Sequence, residues 1–169
     1  MSAGLEAGGS MPTTAAAAES RPDFAGFYAE HWSDVAGFSA ALVGSVNLGD
    51  DVAQEAFARL YARYPLIRDP RPYVFRIAAN LAKRQNARRR EEPLDVVPEA
   101  VAPAVGVDPG LLDAVRRLPP RLSVVVLLHY YADLSVDEVA RTLRRPAGSV
   151  KRQLSEARSV LAHTLGEQS

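Results

Sequence analysis

The chain has 169 residues, of which 47% are hydrophobic and 24% charged, and its 20 basic and 20 acidic side chains give a net charge of zero. It contains no cysteine, which excludes disulfides, thiol nucleophiles and cysteine-ligated zinc. No apolar run approaches the roughly 18 residues of a membrane span, and the first 20 residues lack the basic start of a secretory signal. We therefore expect a cytoplasmic protein without membrane insertion.

The charges divide the chain into four parts. Residues 21–92 carry eleven bases and nine acids, and residues 111–169 carry nine bases and six acids, whereas residues 1–20 and 93–110 carry acids only. Residues 1–20 are rich in small residues, which predicts a disordered tail. Residues 93–110 hold four prolines and two glycines, which predicts a flexible linker. The fold class expected is all-α, with two small helical domains joined by that linker.

The first domain is predicted to contain three helices. Apolar spacing predicts one over 24–43, and a break from Gly44 to Gly49 separates it from a second that starts at Asp50 or Asp51 and reaches residue 64. A proline-rich loop over 65–72 should follow. The third helix, 73–90, becomes strongly basic, since five bases lie within eight residues: Lys83, Arg84, Arg88, Arg89 and Arg90.

The second domain is predicted to begin with a short helix at residue 111, stopped by Pro119 and Pro120. Residues 124–131 fit a buried strand or a helix by periodicity alone. A helix is favoured because no second strand exists to pair with a strand there. Residues 134–143 and the segment from Pro146 onward then read as two helices joined by a tight turn.

These last two helices resemble a helix-turn-helix unit in their spacing. Ser135 and Glu138 form a capping-box start, and Pro146 suits the first turn of a helix. In the second helix one face is apolar, and the opposite face carries Lys151, Ser155 and Arg158, with Arg152 beside them. This layout is typical of a recognition helix for the DNA major groove. An ordinary amphipathic hairpin has the same pattern, so spacing alone leaves both interpretations open.

Several short segments occur in a fixed order along the chain: Asp51–Phe57 (DVAQEAF), Pro72–Ala82, Leu118–Arg121, Leu127–Tyr131 and Gly148–Lys151. Together they resemble bacterial RNA polymerase sigma factors of the sigma-70 family. The first is similar to a signature of that family, the second to its next helix, and the last three to parts of its C-terminal domain. Two domains on one short linker resemble the extracytoplasmic-function (ECF) group, which keeps regions two and four.

The resemblance implies that helix 51–64 docks on the clamp helices of the β′ subunit of core RNA polymerase. The residues implied in that contact are Asp51, Gln54, Glu55, Phe57 and Leu60. An acidic and amide-bearing surface suits a coiled coil that presents arginines. For Asp50 and Asp51 the helix dipole alone is also an adequate explanation.

The resemblance further implies that the loop before residue 73 and the helix after it recognise and melt the minus-ten promoter element. The residues implied are Tyr73, Arg76, Asn80, Lys83, Arg84 and Arg88. A base must leave the stack for melting, at a cost of a few kcal/mol. Tyr73 could stack on such a base, although plain core packing explains an aromatic residue equally well.

In the C-terminal domain the resemblance implies contact with the minus-thirty-five element through Arg121, Ser149, Lys151, Arg152, Ser155 and Arg158. The apolar side of this domain would meet the β flap tip of the polymerase. An anti-sigma factor is a further partner that the family implies. Two departures stand out: Arg144 replaces a glycine in the turn, where a positive φ is expected, and Glu156 replaces a commoner base.

Two other classes compete with a promoter-specificity factor. An ordinary helix-turn-helix regulator explains residues 111–169 but leaves helix 51–64 and the basic helix after it unexplained. An enzyme has poor support, because the three histidines are widely separated and no nucleophile elbow or phosphate loop is present. We expect no catalytic residue, metal or cofactor, and expect His129 to be a packed or hydrogen-bonded residue.

Overall fold

The structure is a computed structural model that describes residues 23–91 and 108–167. Seven α-helices and no strand occur in these two ranges, so the predicted all-α class is confirmed. The helices are α1 Phe24–Val43, α2 Val46–Arg63, α3 Pro70–Glu91, α4 Pro109–Arg117, α5 Pro120–Val126, α6 Val136–Leu143 and α7 Ala147–Glu167. A 3₁₀ turn, Tyr64–Leu66, follows α2, and a π-helical turn, Leu127–Tyr131, continues α5. The predicted tail 1–20 and most of the predicted linker 93–110 lie outside the described residues.

Helices α1 to α3 form the first bundle. Asp23 caps α1 by accepting the Gly26 N–H, and Gly44 ends it with a left-handed φ of 77°. Ser45 caps α2 by accepting the Leu48 N–H. The predicted break from Gly44 to Gly49 was therefore too long. With Ser45 as its cap, α2 begins at Val46, five residues before Asp51.

Gly49 lies inside α2 because that helix crosses α1 at close range. A Cβ at Gly49 would lie 2.5 Å from both the Cα and the N of Ala40. The predicted breaker is thus a close-packing residue. Below this crossing, Phe38 and Phe75 meet edge to face at 5.2 Å, in a core that also holds Phe57.

Helix α3 begins at Pro70, so the loop predicted over 65–72 is reduced to residues 67–69. Proline is tolerated at the start of a helix, where its missing N–H would have no partner. Near the other end of α3, Asn86 and Arg89 donate to the carbonyls of Leu42 and Val43. These bonds satisfy the last carbonyl groups of α1, where positive charge is favourable.

Helices α4 to α7 form the second bundle and contain the predicted helix-turn-helix. The capping box is present: Ser135 Oγ accepts the Glu138 N–H at 3.1 Å and the Glu138 carboxylate accepts the Ser135 N–H at 2.8 Å. Arg144 ends α6 in the left-handed region, with φ 54°. The Arg145 N–H then bonds the Ala140 carbonyl, which closes a Schellman turn before α7.

The two bundles pack against each other. The Arg71 guanidinium donates to the Ala132 carbonyl, and its charge lies 5.4 Å from the centre of the Phe75 ring. Gly37 faces Tyr131 so closely that a Cβ there would lie 2.1 Å from the tyrosine oxygen. Burial raises the Tyr131 pKa, and the charge of Asp34 raises it further. These contacts between the bundles accompany the packing of α3 against α6.

Candidate polymerase and nucleic-acid interfaces

The outer face of α2 carries the predicted polymerase contact in part. Asp51, Gln54 and Glu55 are exposed there, and Glu55 pairs with Arg59 at 2.9 Å. Phe57 and Leu60 are 2% and 0% exposed. They pack in the core beneath the exposed acidic face, so in this structure they are not on the surface with Asp51, Gln54 and Glu55.

Phe57 lies at the centre of an aromatic cluster between α1 and α2. Its ring centre is 4.8 Å from that of Tyr28 and 5.9 Å from that of Trp32. Phe57 therefore joins α2, which carries the acidic face, to the aromatic side chains of α1.

The six residues predicted for minus-ten DNA do not form one surface. Arg84 and Arg88 line a groove of about 230 Å³ between α2 and α3, together with Asp51 and Glu55. They therefore lie beside the predicted polymerase contact. Residues four apart in a helix share a face, which explains why these two lie together.

Arg76, Asn80 and Lys83 follow the other polar face of α3, at the spacing i, i+4 and i+7. They line a cleft of about 500 Å³ between the two bundles. Tyr73 lies one turn earlier, partly buried against the core, so both readings of this residue stay open. The cluster of five bases in the sequence is thus divided among a groove, a cleft and the end of α1.

The recognition helix α7 presents Lys151, Arg152 and Ser155 to solvent. Ser149 Oγ accepts a hydrogen bond from Arg152 at 3.2 Å, which orients that guanidinium. The opposite face is buried through Val150, Leu154 and Ala157. These exposed groups have the donor chemistry and the helical mount that base-edge readout requires.

Arg121 and Arg158, also predicted to contact DNA, already have partners within the protein. Arg121 makes a two-pronged ion pair with Glu156, with N–O distances of 2.6 and 3.0 Å. The hydrogen bond from Arg121 lowers the Glu156 pKa, and the same bond raises the Arg121 pKa. Arg158 donates to the Tyr130 hydroxyl at 2.8 Å.

Sequence reasoning missed Tyr130 and Arg145 at this surface. Arg145 donates to the Arg121 carbonyl at 3.0 Å and to Gln153 at 3.1 Å, and so ties the turn to both α5 and α7. Burial lowers the Arg145 pKa, and the charge of Arg121 lowers it further. His129 Nδ1 is 2.8 Å from the Leu134 carbonyl, which confirms the hydrogen-bonded role expected for it.

Within residues 23–91 and 108–167, no helix is long and apolar enough to cross a membrane. The same residues contain no group of three or more side chains that could hold a metal ion.

Two family models match the chain. Sigma-70 region 2 matches residues 27–92, and sigma-70 region 4 matches residues 110–161. The chain is 26% identical over 147 residues to the ECF RNA polymerase sigma factor SigW of Bacillus subtilis, covering 73% of this chain and 79% of SigW. It is 34% identical over 124 residues to the RNA polymerase sigma-E factor of Streptomyces coelicolor, covering 68% and 70% respectively.

Solved structures agree on the fold. The sigma factor RpoE of Bartonella quintana, solved with the anti-sigma factor NepR, aligns with a TM-score of 0.69 at 18% identity, over 83% of this chain and 96% of RpoE. CnrH, solved with the cytosolic domain of CnrY, aligns with a TM-score of 0.68 at 22% identity, over 93% and 97%. The chain belongs to the sigma-70 family of RNA polymerase sigma factors, in its ECF group. It is a DNA-binding factor that directs promoter-specific transcription initiation.

Proposed function

We propose that the two bundles divide promoter recognition between them. The polar face of α3 at Arg76, Asn80 and Lys83 takes the minus-ten element, and the exposed face of α7 at Lys151, Arg152 and Ser155 reads the minus-thirty-five element. The observation that carries this proposal is the presence of two separate basic helix faces, one on each helical bundle. The domain bounds 21–92 and 111–169 are part of the proposal.

The acidic face of α2 is the proposed site for the clamp helices of the β′ subunit. Its exposed carboxylates and the Gln54 amide can meet cations on a coiled coil, which favours a specific approach. The apolar side of the second bundle is the proposed contact for the β flap tip. Joining two modest DNA contacts through one polymerase raises the effective concentration of each.

We further propose that the factor acts without a catalytic residue, cofactor or metal of its own, and works in the cytoplasm, where promoter DNA and core polymerase meet. Relatives solved with anti-sigma factors support such a partner here too. Because this chain has no cysteine, any thiol-based redox sensing would belong to that partner.

Run-off transcription with purified core polymerase tests the α2 contact. Asp51→Asn with Gln54→Ala should raise the factor concentration needed for half-maximal transcription at least tenfold, because about 1.4 kcal/mol of binding energy corresponds to tenfold. Glu30→Gln, which neutralises an exposed carboxylate on α1, is the matched control. Both residues of the variant are exposed, so folding should persist.

Equal transcription by the variant and the wild type would refute docking through α2. Specific promoter binding by the free protein, with no stimulation of polymerase at those promoters, would instead favour an ordinary helix-turn-helix regulator.

A further inference from the structure

The cleft between the bundles is lined by six basic side chains, three from each bundle. Helix α3 supplies three of them, and the second bundle supplies three from α5 and the turn before α7: Arg76, Lys83, Arg90, Arg121, Arg144 and Arg145. No carboxylate lines this cleft among the described residues. Two amide side chains, Asn80 and Asn86, and the Thr142 hydroxyl side chain complete its polar lining.

Most of this positive charge is not neutralised within the described residues. The side chains of Arg76, Lys83 and Arg144 make neither an ion pair nor a hydrogen bond with another described residue. Of the six cations, only Arg121 has a carboxylate partner, Glu156. Like charges gathered around one cleft repel one another, and an anion that enters the cleft relieves that repulsion.

A buried hydroxyl at the cleft also has no partner. Thr142 lines the cleft and is 6% exposed, and its Oγ1 makes no hydrogen bond within the described residues. A buried polar atom without a partner is uncommon and calls for a ligand or water. Thr142 Oγ1 is itself enclosed by protein, so this hydroxyl belongs to the wall of the cleft and does not by itself identify what enters it.

The size of the cleft limits what can enter. Its volume of about 500 Å³ falls in the range of small-molecule sites. A DNA duplex, whose major groove alone is about 12 Å wide, does not fit. Because cations lie on both walls, an anion with several linked phosphate groups can pair with both walls at once.

We propose that this cleft binds a compact polyphosphate anion, which bridges the two bundles and holds them closed. Arg76, Lys83 and Arg90 bind it from α3, and Arg144 and Arg145 bind it from the opposite wall. Binding excludes promoter DNA, because Arg76, Asn80 and Lys83 cannot serve both ligands at once. That exclusion rests on the proposed minus-ten contact, whereas binding of the anion does not.

Calorimetric titration of the full chain with tripolyphosphate, at fixed ionic strength, tests the site. Arg90→Gln removes a cation from one wall and Arg144→Asn from the other; neither residue is assigned to DNA. Asparagine tolerates the left-handed backbone that Arg144 adopts. Each single variant should weaken binding three- to tenfold, and the double variant at least tenfold.

Arg63→Gln with Arg117→Gln is the matched control, because it removes one exposed cation from each bundle away from the cleft. This control should bind tripolyphosphate as the wild type does. If the control loses as much affinity for tripolyphosphate as the cleft variants, or if the wild type does not bind it, the cleft is not the binding site. If only one of the two single variants loses affinity, the anion does not bridge the two bundles.

Two further titrations distinguish the source of the phosphate. Orthophosphate should bind at least tenfold more weakly than tripolyphosphate, and equal binding would refute the need for linked phosphates. The second titration uses tetrathymidylate, a short single-stranded DNA. If tetrathymidylate binds and depends on Arg90 and Arg144, while tripolyphosphate does not bind, the cleft is a site for single-stranded DNA. Run-off transcription without tripolyphosphate should be unchanged in the double variant, so failure of this proposal leaves the proposed function standing.

Discussion

The crossing of α1 and α2 at Gly49 allows a quantitative test of the first bundle. Gly49→Ala would place a methyl group 2.5 Å from the backbone N and Cα of Ala40, and backbone atoms cannot rotate aside as a side chain would. Overpacking of this kind costs about 1–3 kcal/mol. Alanine regains about 1 kcal/mol in helix propensity. Taking the upper part of the overpacking range, we expect a net loss of about 1–2 kcal/mol.

Gly148→Ala is the control for the propensity contribution. Gly148 lies in the first turn of α7, and an added Cβ there has no neighbour within 4 Å. This variant should be neutral or more stable by up to about 1 kcal/mol. Thermal unfolding followed by circular dichroism measures both changes, and in a chain of 169 residues the loss at Gly49 should lower Tm by roughly 2–4 °C per kcal/mol. A Gly49→Ala protein at least as stable as the wild type would refute the close approach of the two helices.

Three further predictions concern the second bundle. Glu156→Gln should release Arg121 and so tighten binding to minus-thirty-five DNA. The slope of log affinity against log salt concentration should become steeper by about one, because one more phosphate contact forms. Because the Glu156 pKa is lowered by its bond to Arg121, the stability from this pair is present above the usual carboxyl range. It is lost as the pH falls through the lowered value, so thermal melts of the two proteins should converge in acid. Arg144→Gly should raise stability by about 1 kcal/mol in thermal unfolding, since φ 54° suits glycine. Lys151→Ala should lower the affinity for the preferred promoter by about 1–3 kcal/mol if Lys151 contacts a base edge.

A second variant or a second set of promoters serves as the control for each of these three substitutions. The double variant that also carries Arg121→Gln should not show the gain in affinity, and a gain that persists would refute release of Arg121. Arg144→Val should destabilise, because β-branched residues fit the left-handed region poorly; equal effects of Gly and Val would contradict the argument. Uniform weakening by Lys151→Ala across all promoter sequences would assign that residue to phosphate contact.

The sequence predicts those structural features whose physical cause lies among residues close together in the chain. The capping box at Ser135 and the apolar face of α7 depend on neighbours within one or two turns, so the sequence predicts them. The left-handed backbone at Arg144 was expected only from the family resemblance, in which this turn holds a glycine. Gly49 was misread as a breaker because its reason is Ala40, on another helix. Residues distant in the chain cannot be paired from one sequence.

In the candidate sites, too, features set by nearby residues can be predicted, and features set by packing between helices cannot. Helical spacing places Phe57 and Leu60 on the apolar face of α2, yet the resemblance to a family motif suggested contact with polymerase. The motif identifies which residues matter, and only the packing separates those that touch a partner from those that support the surface. The pairing of Arg121 with Glu156 likewise joins two helices.

The π-helical turn Leu127–Tyr131 has a consequence for the tyrosines it contains. Adjacent residues of a helix point in directions about 100° apart, so neighbouring side chains can meet different partners. Tyr130 accepts a hydrogen bond from Arg158 on α7, while Tyr131 packs against Gly37 in the first bundle. A substitution here changes one of these contacts, whereas an insertion or deletion rotates both side chains together. Such a change of length would therefore disturb the position of α7 and the contact between the bundles at the same time.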